Sequence, residues 1–113
     1  CVGIDMETGK MSTGSHDIFY SKKILAPFRV HPDTKAQIEG AELPYWQELK
    51  ETVRKAAELA PILPYIAWDV AITPEGPCII EGNGRSDLSM VQVHGGLNNP
   101  EAKEFWRQFG IKL

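Results

Sequence analysis

The stretch Tyr65–Asn83, YIAWDVAITPEGPCIIEGN, decides how the chain reads. Its first half alternates with period two: Ile66, Trp68, Val70 and Ile72 point one way, and Tyr65, Ala67, Asp69 and Ala71 the other. After Thr73-Pro74-Glu75-Gly76-Pro77, a second alternation sets Ile79, Glu81 and Asn83 on one face, with Cys78, Ile80 and Gly82 opposite. Pro74 presets the first central position of a type I turn, and Gly76 accepts the left-handed conformation that closes a three-residue loop. With residues 74 to 76 as that loop, Thr73 faces Pro77, Asp69 lies opposite Glu81, and Ala67 lies opposite Asn83. Directly opposed like charges destabilise a sheet. The spacing therefore predicts something cationic above Asp69 and Glu81.

Asp69, Glu81 and Asn83 are all hard oxygen donors. Residues two apart on a strand share a face, so Glu81 and Asn83 can hold one ion together while Asp69 reaches it from the neighbouring strand. Magnesium takes oxygen ligands and is usually held by one or two carboxylates plus phosphates and waters, so the set suits a nucleotide's Mg²⁺ better than a closed protein cage. A solvent-facing sheet with ordinary polar decoration is the plainer alternative. Two residues beyond Asn83, the Arg85 guanidinium could hold a phosphate or carboxylate that bridges to the metal. Ser86, Asp87 and Ser89 could line a substrate pocket, although such residues are also ordinary loop and cap formers. Of the histidines, His31 alone is a weak substrate-site candidate; His16 and His94 sit in loops. No G-x-x-x-x-G-K or G-x-G-x-x-G run is present, so Gly84, Gly95 and Gly96 read as turn formers.

The rest of the chain sets limits. Its 113 residues suffice for one modest domain, and 42% hydrophobic with 24% charged residues is ordinary for a globular chain. A formal charge of -3 without a basic stripe argues against a nucleic-acid binder. No apolar run approaches the roughly 18 residues a membrane span needs, and no signal pattern opens the chain. Two cysteines make no disulfide framework and no zinc motif. Cys78, in an apolar strand, reads as a buried thiol, and a reducing, cytoplasmic setting is the simplest inference. Because the chain enters a strand-like run at Cys1 without a Met, it reads as a fragment lacking its upstream half.

Upstream, Cys1–Asp5 and Lys10–Ser12 flank a Glu7-Thr8-Gly9 turn, and residues 12–17 read as an exposed loop. Residues 18–20 and 24–30 contain β-favouring residues, with a strand around Phe28–Val30 and a turn at His31-Pro32-Asp33-Thr34; Gly40 marks a further break. Pro44–Ala60 is the clearest helix, with Pro44 in its first turn and Trp46, Leu49, Val53, Ala56, Ala57 and Ala60 forming an apolar stripe. Pro61 and Pro64 stop it. A last helix begins at Pro100 with Asn99 as N-cap, carries Ala102, Phe105, Trp106 and Phe109 on one face, and ends at Gly110. The expected fold class is α+β, a mainly antiparallel sheet backed by the 44–60 and 100–109 helices.

The run from Asp69 through Glu81-Gly82-Asn83 resembles the closing hairpin of the ATP-grasp superfamily, in which an Asp, a strand-turn-strand and E-x-N supply ligands for Mg²⁺ on ATP. H-P-D-T at 31–34, G-A-E-L-P-Y-W at 40–46 and A-W-D-V-A-I at 67–72 resemble its sugar-transfer-associated branch more narrowly. The resemblance implies that residues 1–113 are the C-terminal part of an ATP-grasp domain whose upstream half, with its nucleotide-gripping lysines, lies elsewhere. It implies ATP and Mg²⁺ as cofactors, with Asp69, Glu81 and Asn83 as ligands and Arg85 as a catalytic residue steadying an acyl-phosphate. His31, Ser86 and Asp87 stay substrate-site candidates on residue type and position alone. The implied activity is ATP-dependent ligation of a carboxylate to an amine or other nucleophile on a small-molecule or sugar-linked substrate, linked to cell-surface polysaccharide metabolism. The fragment alone would then be inactive. The alternative is a truncated, non-catalytic module that binds nucleotide or a protein partner. The sequence departs from many ATP-grasp ligases after E-x-N, where Gly84-Arg85-Ser86-Asp87 replaces a Pro-Gly loop, so substrate contacts from that loop do not carry over.

Overall fold

A computed structural model describes residues 1–16 and 26–110. The elements run β1 (Val2–Ile4), β2 (Met11–Gly14), α1 (Trp46–Glu58), β3 (Ala67–Thr73), β4 (Gly76–Asn83), a single 3-10 turn at Met90–Gln92, and α2 (Pro100–Gln108). The class is α+β, with two separate antiparallel two-stranded sheets, β1-β2 and β3-β4. The β-favouring residues at 18–20 and 24–25 lie outside the described residues.

The first hairpin is organised by its turn. Asp5 folds back so that Oδ1 accepts from Thr8 N–H at 2.7 Å, Thr8 Oγ1 at 2.7 Å and Glu7 N–H at 3.2 Å. An aspartate that bonds backbone two and three residues ahead mimics a turn with its own side chain. Gly9, at φ 76, takes the left-handed position that follows. Thr13 and Gly14, expected in a loop, instead form the end of β2, because Gly14 pairs with Val2 of β1; Gly14 also exchanges both backbone hydrogen bonds with Phe28, at 2.8 and 2.9 Å. The expected strand at Phe28–Val30 reduces to isolated bridges, Gly14↔Phe28 and Val30↔Gln37. Pairing there goes to two different partners, so no continuous ladder forms.

Helix α1 starts later than its proline suggests. Tyr45 is the N-cap, at φ 57 and ψ 30, and Pro44 precedes the helix instead of occupying its first turn. That left-handed conformation is costly for a residue with a Cβ, and it lets adjacent side chains reach opposite ways. The Tyr45 hydroxyl donates to the Pro74 carbonyl at 2.9 Å, at the tip of β3-β4. Trp46 Nε1 and Lys50 Nζ both donate to the Met6 carbonyl, at 3.2 and 3.1 Å, in the turn of β1-β2. The first turn of α1 thus ties the two hairpins together, and the body of the helix lies against β4.

The second hairpin differs in detail from the expected one. Its turn holds two residues, Pro74 and Glu75, with Thr73 paired to Gly76. The Thr73 hydroxyl accepts from Glu75 N–H at 3.2 Å and donates to the Gly76 carbonyl at 2.9 Å. Gly76 does take positive φ, at 115°. Pairing continues through Ile72↔Pro77, Ala71↔Cys78 and Val70↔Ile79, and then a β-bulge at Ile80 restores Asp69↔Glu81 and Ala67↔Asn83. Paired residues share a face, so the bulge moves Ile79 onto the face of Val70 and Trp68, away from Glu81. Cys78 joins the Asp69 face and is exposed, not buried as expected. No layer among the described residues covers it.

Helix α2 has the expected start. Asn99, extended at φ -124, accepts from Ala102 N–H at 2.8 Å, and Pro100 follows. Gly110 closes the helix at φ 75. Its aromatic face meets the rest of the fold through Trp106 and Tyr65, whose ring centroids are 6.1 Å apart. Among the described residues no hydrophobic side chain is fully buried; Leu59 and Ile62 are 87% and 88% exposed. Short cross-links at turns, more than a closed core, join these elements. Among the described residues no helix is long and apolar enough to cross a membrane.

Candidate functional site

The bulged end of β3-β4 brings Asp69 and Glu81 directly opposite each other on one face, and Asn83 lies two residues on from Glu81. A β-bulge increases local twist and re-aims the residues beside it; here it sits immediately before Glu81. Asn83 Nδ2 donates to Glu81 Oε1 at 3.0 Å, so these two side chains touch. All three residues are exposed. Neither carboxylate forms an ion pair among the described residues, whose salt bridges lie at Lys10–Glu42, Arg29–Glu39, within α1 and within α2. Among the described residues, the like charges opposed on this strand pair are therefore uncompensated by a cation.

The donor set is two carboxylates and an amide oxygen on an open surface. No group of three or more His, Cys, Asp or Glu side chains gathers among the described residues in a way that could enclose a metal. That composition fits a hard cation sharing its coordination with waters and phosphates, and it does not fit a closed zinc or iron cage.

Beyond Asn83 the chain turns at Gly84-Arg85 into an open cleft of about 670 Å³ lined by Leu63, Gly82, Asn83, Gly84, Arg85 and Ser86. Two close approaches shape it. Trp68 lies across Gly82, where a Cβ would stand 2.7 Å from its ring, and Leu63 lies against Gly84, where a Cβ would stand 3.2 Å from Cδ1. Asn83 thus belongs both to the carboxylate face and to the cleft, with Arg85 and Ser86 beside it. Asp87 does not line the cleft; its Oδ1 accepts from Ser89 N–H at 2.8 Å and caps the following turn. His31 is likewise absent from the lining. Its Nδ1 accepts from Asp33 N–H at 3.3 Å and Thr34 N–H at 3.2 Å, and its carbonyl accepts from Lys35 N–H at 3.0 Å. Those bonds shape the H-P-D-T turn.

Leu63 went unmarked in the sequence because an apolar residue between Pro61 and Pro64 looks like connection. The only hint was an apolar pair, Ile62-Leu63, left in a segment that could be neither helix nor strand. Tyr45 also carried no signal, since its cap role depends on an unusual backbone conformation.

The family model described as sugar-transfer associated ATP-grasp matches residues 1–104, and the chain belongs to that family. Nucleotide binding and ligase-like chemistry are the general character of that family. Comparison with curated proteins and with solved structures gives no match.

Proposed function

We propose that this chain is the Mg-ATP-holding part of an ATP-dependent carboxylate ligase. The observation that carries the reading is the direct opposition of Asp69 and Glu81, with Asn83 bonded to Glu81 and no cation among the described residues paired to either acid. In the reaction, a substrate carboxylate oxygen attacks the γ-phosphorus of ATP and ADP departs. An amine or other nucleophile then attacks the acyl carbon, and phosphate leaves with the electron pair of the broken C–O bond. Asp69, Glu81 and Asn83 would hold Mg²⁺, which when bound neutralises charge on the transferring phosphate. Arg85 supplies fixed positive charge next to Asn83, where an acyl-phosphate can be steadied.

The family's description, sugar-transfer associated, supports a small-molecule carboxylate or sugar-linked substrate, and the reading extends this to cell-surface polysaccharide metabolism. In this reading the reaction takes place in the cytoplasm, and the chain acts together with further ATP-grasp structure that grips the nucleotide. The exposed Leu59, Ile62 and Ile80 side chains are in keeping with such a partner surface.

The test is calorimetric titration of Mg-ATP into the intact chain and its variants. Glu81→Gln and Asn83→Ala should each weaken magnesium-dependent binding by about tenfold or more, equivalent to about 1.4 kcal/mol. Unchanged magnesium-dependent binding in both variants would sink the assignment.

A further inference from the structure

We infer that His31 is a proton-operated latch on the turn at residues 31–36: the neutral ring holds the turn shut, and protonation at Nδ1 opens it. The latch involves none of the residues assigned to Mg-ATP.

One turn geometry occurs twice in this chain with a different acceptor in each. In the first hairpin, Asp5 Oδ1 accepts from the N–H groups two and three residues ahead, Glu7 at 3.2 Å and Thr8 at 2.7 Å. In the later turn, His31 Nδ1 takes the same pair of bonds, from Asp33 N–H at 3.3 Å and Thr34 N–H at 3.2 Å. A carboxylate accepts throughout the neutral range, whereas imidazole has one acceptor nitrogen, and only while it is neutral. With Nδ1 accepting, the ring proton sits on Nε2. A second proton must go to Nδ1, where it meets two N–H donors and leaves them without an acceptor. The rest of the turn makes those two bonds matter. Pro32 has no N–H to give, and Lys35 stands at φ 60, a costly conformation for a residue with a Cβ. Two backbone bonds close the turn besides the ring, His31 N–H to the Ala36 carbonyl at 2.8 Å and Lys35 N–H to the His31 carbonyl at 3.0 Å.

The charged groups around the ring are Asp33 and Lys35 within the turn and Arg29 and Glu39 at its base. Lys35 Nζ donates to the Pro32 carbonyl, and Arg29 pairs with Glu39 at 2.9 Å. Asp33 is the group that favours a charged ring, but it is exposed, and solvent screens its pull. His16, whose ring centroid lies 4.9 Å from that of Phe28, is the other imidazole in this part of the fold. Because the closed turn takes the neutral ring, the open turn binds one proton more. The latch is therefore shut at higher pH and released as the pH falls.

The experiment is NMR on the intact chain. At neutral pH, long-range proton–nitrogen spectra of the His31 ring should place its proton on Nε2. The pH is then lowered from about 7.5 to about 5.5, the span over which an ordinary histidine takes its second proton. Amide exchange at Asp33 and Thr34, corrected for its intrinsic pH dependence, should rise by about tenfold, while Glu7 and Thr8 keep their protection. His31→Asn supplies an acceptor that does not titrate and should keep the turn shut at both ends of the span. His31→Ala should leave it open at both, and His16→Gln should leave the acid response intact. A ring proton on Nδ1 at neutral pH, or exchange at Asp33 and Thr34 that ignores pH, would overturn the latch. So would an equal loss of protection at Glu7 and Thr8, or an acid response that persists in His31→Asn or vanishes in His16→Gln.

Discussion

The two hairpins are built alike and treat their acids in opposite ways. Each is a two-stranded antiparallel pair with one irregularity in register, and each has a glycine beneath an aromatic ring: Gly14 under Phe28, Gly82 under Trp68. Each turn is also tied to the first turn of α1. In the first hairpin the acid is consumed by structure. Asp5 accepts three local hydrogen bonds, chiefly from Thr8, and these hold its carboxyl below the usual carboxylate range. In the second, Asp69 and Glu81 face one another with no cation paired to them among the described residues. A carboxylate with its donors already satisfied shapes a loop; a pair left open on a twisted strand is available to a ligand.

The sharpest way to break the parallel is to fill the glycines. Gly14→Ala and Gly82→Ala should each destabilise by about 1–3 kcal/mol through overpacking, measured by denaturant unfolding. Gly14→Ala should be the worse, because its Cβ would overlap the Phe28 ring more deeply. Equal tolerance at both positions would mean the aromatic covers do not set the hairpins. A smaller effect separates the acids themselves. Asp69→Asn should leave stability unchanged or raise it by about 0.2–1 kcal/mol, as relief of like-charge opposition allows, while lowering magnesium-dependent ATP binding. Asp5→Ala should do the reverse, lowering the thermal midpoint with binding intact. Loss of stability in both variants would erase the distinction.

The smallest expected effect lies on α1, between the hairpins. Hydrogen bonding from Arg54, followed by the Coulombic pull of Arg54 and Lys55, depresses the Glu51 carboxyl to about 2 from 4.5. Because the folded value is the lower one, this support is present above pH 4.5 and is lost as the pH falls toward about 2. Full solvent exposure keeps the effect modest. Far-ultraviolet circular dichroism should show a shallow loss of helix across that window, and Glu51→Gln should flatten it.

Much of the site was legible in the residues, partly through two departures that cancel. Residues 73–83 predict a three-residue turn and regular strands; the structure has a two-residue turn and a bulge at Ile80. Each changes the register by one, so Asp69 still meets Glu81 while Ile79 and Cys78 exchange faces. A bulge leaves no mark in a period-two pattern when the residue it inserts is itself apolar. The start of α2 was legible because an N-cap is a matter of a few adjacent residues: Asn99 supplies its own acceptor and Pro100 its own dihedral. The start of α1 was not, since the reach of Tyr45 to Pro74 and of Trp46 to Met6 selects a backbone conformation that Tyr disfavours alone.

By itself, the order of residues determined the family, the α+β class, the alternation that made two strands of Tyr65–Asn83, and the oxygen chemistry of Asp69, Glu81 and Asn83. These follow from side-chain type and short-range periodicity, which need no distant contact. Tertiary structure alone decided that the strands form two sheets, that a bulge precedes Glu81, that Cys78 is exposed, that His31 and Asp87 serve their own turns, and that Leu63 closes on Gly84 beside Arg85. Each of those depends on a bond or contact between residues that the chain must fold to bring together, or on the absence of a covering layer, and neither is written in local pattern.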